Sequence, residues 1–318
     1  MLRRWAAVLA EIVLVTLLAV GCFTAGILFP FLGALLTLLT PLPLAVVGLR
    51  HGRLGLWGGL VLVPIVLAML GSWWQAAAFG LEFAVPAVLL AEGLRHDRRP
   101  EWLTLAVALC LSLGGVAVIL LGARHWGNPL EVAGQHVELL LRDMEGVGLR
   151  LGLTEGTEAL APSVARMRGW LLAVFPGLFF TGNLLAATGY DAALRWLVRR
   201  RAAAFGSPAP AGWHFELPES LVWLFIAAGA CYLSGVRGLG VVGLNGLIIL
   251  LGFYFLQGVS IALYLFRRFQ LPRFLVTVAV MVVLLQPLTM LLVAGLGLFD
   301  VWCAFRRPGL PGTPSGVS

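Results

Sequence analysis

The chain has 318 residues, 60% of them hydrophobic and only 12% charged, and its mean hydropathy is +0.96. A soluble domain carries about 25% charged residues, so the composition excludes the soluble globular class and points to membrane spans. The net charge of +7 does not mark a nucleic-acid binder: the basic residues are all arginines, set in short clusters between apolar runs, the pattern that orients membrane proteins.

Nine apolar segments approach the ~20 residues a helix needs to cross the hydrocarbon core. They are 6–28, 31–49, 54–71, 76–94 and 101–122, then 169–189, 219–236, 239–266 and 274–299. Turn signals fall between them at Phe29-Pro30, Arg50-His51-Gly52, Arg99-Pro100 and Leu271-Pro272. Arg3-Arg4 ahead of an apolar run has the look of a signal peptide, and Ala19-Val20-Gly21-Cys22 of a lipoprotein cleavage box. The apolar sequence nevertheless continues to Leu28 and resumes at Phe31, so an uncleaved first span is expected.

Arginine sets the expected orientation. Arg3/Arg4, Arg50/Arg53, Arg95/Arg98/Arg99, Arg195/Arg199/Arg200/Arg201 and Arg267/Arg268/Arg273 share one side if the spans alternate. By the positive-inside rule that side, and the N-terminus, is cytoplasmic. Nine spans would leave Arg306 and Arg307 outside, so the expected fold is an all-α polytopic transmembrane bundle of eight or nine spans. A bacterial cytoplasmic (inner) membrane is its expected location.

Four segments follow: a five-span block 1–122, an extracytoplasmic polar segment 123–168, a second membrane block 169–307 of three or four spans, and a disordered tail 308–318. In the polar segment, Asn128-Pro129-Leu130-Glu131 is a helix start, with Asn as cap, Pro at the first helical position and Glu131 placed for a capping box. Val137, Leu140, Leu141, Met144, Val147 and Leu151 recur at helical spacing. An external amphipathic helix is expected there, lying on the interface or binding a partner.

Ionisable residues at membrane depth are the best functional clue. Glu82, four residues before Pro86, and Glu11 both lie inside apolar segments. Each either pairs with an arginine near a helix end or serves a solute or proton site. Asn183, Asn245 and Gln257 give the later spans polar positions, which glue helices or bind solute. Pro64, Pro86, Pro176 and Pro287 are candidate helix breaks that could open a cavity. Glu82, Asn183, Asn245 and Gln257 are therefore the candidate solute-binding set, expected to line a cavity between the two blocks.

Gly238-Leu239-Gly240-Val241-Val242-Gly243 fits a dinucleotide-binding spacing, but it opens an apolar span and meets no acidic residue before Asp300. Gly240, Gly243 and Gly246 are instead expected to admit a neighbouring helix. The four cysteines and five histidines show no metal-ligand spacing. No hydrolase, zincin or phosphate-loop motif occurs, so no metal, cofactor or enzymatic activity is expected.

The C-terminal block carries Leu251-Gly252-Phe253-Tyr254-Phe255-Leu256-Gln257-Gly258, a basic turn at Arg267-Arg268, and Gly295-Leu296-Gly297-Leu298-Phe299-Asp300-Val301-Trp302. With Leu81-Glu82-Phe83-Ala84-Val85-Pro86 and Asn183-Leu184, these stretches resemble the YybS-like family of bacterial multi-pass membrane proteins, a domain of unknown function. That resemblance implies no activity. The first block also resembles the substrate-binding components of energy-coupling-factor transporters. There, small residues four apart in the first span contact the coupling subunit, and Ala6 and Ala10 have that spacing.

The expected function is small-solute binding or a transport-related role, and the alternative is a non-catalytic scaffold recruiting envelope proteins. Expected partners are the lipid bilayer and a membrane protein or energy-coupling module, with no nucleic acid. A topology reporter fused within 138–145 should read outside, and one within 207–212 cytoplasmic; the reverse pattern would overturn the arginine-based orientation.

Overall fold

A computed structural model describes residues 2–28, 36–71, 73–126, 161–201, 205 and 215–303. Every regular element among them is helical. The expected amphipathic helix of the polar segment and the C-terminal tail lie outside the described residues. The chain divides into two compact units, Met1–Gly212 and Trp213–Ser318.

The first unit opens with α1 (Leu2–Leu28) and α2 (Pro41–Leu70). It continues with α3 (Trp73–Phe79), a π-helical turn over Gly80–Ala84, and α4 (Val85–Arg95). Its last elements are α5 (Pro100–Trp126) and α6 (Ala161–Arg200). The helix α6, which the sequence reading groups with the C-terminal block, packs here against α5. The second unit holds α7 (Leu221–Leu233), α8 (Arg237–Arg268), α9 (Arg273–Leu285) and α10 (Pro287–Cys303).

The outer surface is apolar. Leu14, Met69, Leu113, Trp223 and Leu233 are each more than 60% exposed. Helices hydrophobic on every face need lipid as solvent. Exposed tryptophans stand near helix ends, at Trp5, Trp73, Trp102, Trp196 and Trp302, as in the aromatic belts of membrane proteins.

Among the described residues six helical stretches are long and apolar enough to cross a membrane: Val8–Gly26, Pro41–Leu70, Trp73–Arg95, Pro100–Gly122, Gly169–Arg200 and Gly238–Arg268. A seventh counts if the bent pair Phe274–Val283 and Pro287–Cys303 is taken as one. Eight or nine were expected, and three local features account for the difference. First, α7 has 13 residues, about 20 Å of helix against a core of about 30 Å. Second, the last expected span is bent by 102°. Pro287 pushes the residue before it out of helical geometry, and Gln286 is extended, with φ −114° and ψ 111°.

Third, the segments 31–49 and 54–71 count once, as Pro41–Leu70, although α2 is a hairpin rather than a rod. Gly52 has φ +73° and ψ −158°, a backbone shape open to glycine and strained for other residues. The arms fold back on each other. A Cβ at Gly59 would stand 2.7 Å from Leu44, and one at Gly55 would stand 2.8 Å from Val47. In a straight helix positions 44 and 59 would be about 22 Å apart. The expected turn at Arg50-His51-Gly52 is thus present, inside one helical element.

Proline alone does not decide where helices break. Pro64 and Pro176 sit inside helices that continue past them, whereas Pro86 follows the π turn and Pro287 follows the bend.

In the second unit the main chains of α8 and α10 touch. A Cβ at Gly258 would collide with the Val293 carbonyl, and one at Gly297 with the Tyr254 carbonyl. Gly243 packs in the same manner on Ala228 and Tyr232 of α7, and Gly246 faces Ala228. The glycine-rich run therefore acts as a helix-packing surface, as expected. Gly297→Ala should cost about 1–3 kcal/mol of stability by overpacking. Gly295→Ala, where a Cβ meets nothing within 4 Å, should leave the thermal unfolding of the detergent-solubilised protein unchanged. Equal melting of the two variants would contradict the backbone contact.

Candidate functional site

Glu82 is the middle residue of the π turn. The local cause is Pro86, which has no N–H to donate to the Glu82 carbonyl four residues back, the bond an α-helix requires there. The turn shifts to i→i+5 bonding, a geometry concentrated at functional sites. Phe79 and Phe83 flank it and are buried. Both meet Phe23 of α1 edge-on, with ring centroids 6.0 Å apart in each case. On the other side α5 comes close at Gly114, where a Cβ would stand 2.9 Å from the Glu82 Cα and clash with the Leu81 carbonyl. Glu82 is thus placed by two backbones in contact.

The two acids singled out in the apolar segments behave differently. Glu11 pairs with Arg50 and with His51, whose Nε2 lies 2.8 Å from its Oε2. Glu82 has no hydrogen-bond or ion-pair partner among the described residues. The Tyr190 hydroxyl of α6 lies within its electrostatic reach. Tyr190 is 4% exposed, and its hydroxyl has no hydrogen-bond partner among the described residues.

Asn183, on α6, donates from Nδ2 to the Ser112 hydroxyl of α5 at 3.1 Å. Ser112 and Gly114 are two residues apart, about 3 Å along α5 and on different faces. The first unit therefore brings Glu82 and Asn183 to one level of α5, and no hydrogen bond joins them.

Below this level lies a pair that the sequence reading passed over. Asp191 is 0% and Arg195 2% exposed at the side chain, and Arg195 Nε donates to both Asp191 oxygens at 2.9 Å. Arg195 also donates from Nη2 to the Arg98 carbonyl at 2.7 Å, and its Nη1 lies 3.6 Å from Asp97. One guanidinium therefore ties α6 to the turn between α4 and α5. The available signal was the Asp–Arg spacing of four on a helix. It was hidden because Arg195 reads as part of a basic cluster running to Arg201.

Nearby, Glu92 gathers Arg95 at 3.2 Å and Arg53 at 3.7 Å, and Arg95 donates to the Gly48 carbonyl. A surface groove of about 590 Å³, lined by Arg53, Leu54, Trp57, Gly58, Val61 and Leu62, opens on the second arm of the hairpin. It includes none of the candidate site residues.

Asn245 and Gln257 belong to the second unit. Asn245 donates from Nδ2 to the Val241 carbonyl of its own helix at 2.8 Å. Gln257 donates from Nε2 to Asp300 of α10 at 3.0 Å, and Ser260 accepts from the Phe215 N–H at 3.2 Å. Ala6 and Ala10 are exposed on one face of α1. Among the described residues no three His, Cys, Asp or Glu side chains gather as a metal site.

Removing one partner of the Asp191–Arg195 pair leaves a charge buried. Arg195→Met should cost about 3–5 kcal/mol, and adding Asp191→Asn should recover part of that. Thermal unfolding of the single and double variants gives the coupling, and strictly additive effects would rule out a direct pair.

The family model described as "Predicted membrane protein (DUF2232)" matches residues 16–301. The "Uncharacterized protein YybS" of Bacillus subtilis (strain 168) is 25% identical over 287 residues, which cover 87% of this chain and 90% of that protein. No solved structure matches. The family match begins within α1 and ends within α10, taking in the π turn, Asn183 and the Asp191–Arg195 pair. The chain belongs to the DUF2232 family of membrane proteins.

Proposed function

We propose that this protein is a small-solute-binding, transport-related component of the bacterial cytoplasmic membrane, with its N-terminus inside and its binding site in the first unit. The carrying observation is the contrast between its two acids at membrane depth. Glu11 is paired with Arg50 and in hydrogen-bond contact with His51, while Glu82 stands on a π turn with no partner of its own among the described residues. An isolated charge at the centre of a bilayer costs roughly 2.5–3.5 kcal/mol even on the mildest scale, and such residues mark solute and ion pathways.

Asn183, at the same level of α5, uses its amide N–H on Ser112 and keeps its carbonyl oxygen as an acceptor. Asn245 and Gln257 are engaged with Val241 and Asp300, so the reading rests on Glu82 and Asn183. Ala6 and Ala10, exposed on α1, are the contact offered to a coupling partner in the membrane.

The test is a thermal-shift screen of small water-soluble metabolites against purified wild type, repeated on Glu82→Gln and Asn183→Ala. Loss of a charge-assisted hydrogen bond predicts about a tenfold or greater fall in affinity for Glu82→Gln. If every ligand that shifts the wild type shifts both variants equally, the first unit is not the site. The scaffold reading then takes its place, with deletion of 129–152 as the variant that abolishes function.

A further inference from the structure

We infer that Glu82 and Tyr190 form a coupling-ion site, which takes up a compact monovalent cation from water: a proton or an alkali ion. The inference rests on the solute reading above and adds what accompanies the solute. Three observations converge on it. The π turn and Gly114 fix the Glu82 backbone against α5. Its carboxyl has no ion-pair or hydrogen-bond partner among the described residues. Independently, the Tyr190 hydroxyl within its reach is almost wholly buried and makes no hydrogen bond there. An unmade buried hydrogen bond costs about 1–3 kcal/mol, so the Tyr190 hydroxyl, within electrostatic reach of an unpartnered carboxyl, implies a species that both would bind.

The protein's own cations do not fill that place. On the elements packed against the π turn and on α6, the described basic groups near the site are already engaged, and Cys22 and Cys110 are free thiols. Arg50 and His51 are held by Glu11, and Arg53, Arg95 and His96 by Glu92. Arg195 is held by Asp191 and Asp97. Glu101 of α5, close enough to act on Asp191, is a further acidic residue and supplies no cation. No basic residue occurs between 72 and 94, between 101 and 122, or between 169 and 194. The donors offered are a carboxylate and a phenol oxygen, hard ligands that suit a proton or alkali ion and not a soft transition metal. One carboxylate supplies one negative charge, which matches a monovalent ion better than a divalent one.

The probe is a fluorescent carbodiimide, which couples to carboxyl groups that are protonated in apolar surroundings. It is applied to the full-length protein in liposomes, with the labelled residue mapped by mass spectrometry. Labelling should fall on Glu82, be absent in Glu82→Gln, and decline as pH rises from mildly acid to mildly alkaline. Replacing choline in turn with lithium, sodium and potassium at constant ionic strength separates the two: protection by any of them identifies an alkali ion, and indifference to all three identifies a proton.

Tyr190→Phe, which keeps the ring and removes the hydroxyl, should move the midpoint of protection by about tenfold in ion concentration with its melting unchanged. An unlabelled Glu82 at acid pH in folded protein would overturn the inference, as would labelling equal at every pH and salt. The two readings fail separately. Absent labelling with solute shifts that still depend on Glu82 removes the ion alone. Ion-protected labelling with solute shifts indifferent to Glu82 removes the solute site alone.

Discussion

Hydrocarbon offers no partner to a charge, so each ionised side chain below the interface must be matched inside the bundle or brought to its edge. Much of the first unit is arranged around that demand. Arg195 satisfies Asp191 and the Arg98 carbonyl, Glu92 draws Arg53 and Arg95 together, and Glu11 reaches the hairpin tip. These pairs are costly to form and costlier to break, so they specify position more than they add stability. They join α1, α2, α4 and α6 near the hairpin tip and the turn after α4. Against that background Glu82 is an exception, set where the π turn and the α5 backbone touch.

The membrane class and most of the helical segments were legible from hydropathy, because an apolar run of about 20 residues has few other physical meanings. The Gly52 turn was legible from Arg50-His51-Gly52, since charge and glycine interrupt the same run. The span number was not, because hydropathy did not report that the α7 helix is only 13 residues long or that the last segment bends at Gln286. Only the contacts of Leu44 with Gly59 show that the two arms of α2 face each other. Pro64 and Pro176 looked as able to break a helix as Pro86 and Pro287, yet only the latter two accompany a change of geometry. Neighbouring helices decide whether a freed carbonyl is satisfied in place.

Among the site residues, Glu82 was legible as an acid in an apolar run, and the absence of a partner was not. Asn183 and Gln257 carried the same sequence signal, polar in apolar surroundings, and the structure separates them by what they bond: Ser112 in one case, Asp300 in the other. Asp191 and Arg195 were masked by the arginines that follow, because a basic cluster reads as solvated until one member is seen to be buried. Sequence alone reports which side chains are unusual for a membrane; it does not report which of them already have what they need.

A π turn carries one residue more than the surrounding α ladder can hold. Loss of one residue from 80–84 would remove that extra residue while leaving Trp73–Phe79 and Val85–Arg95 on the faces they now use, with Pro86 still leaving one carbonyl without its helical donor. The same fold can therefore exist in a longer and a shorter version, differing by a single codon at this spot. Glu82 would keep its place in the chain in the shorter version and lose its place on the π turn. A one-residue gap here, met in a related chain, would then mark a protein that has kept the scaffold and given up the site proposed at Glu82.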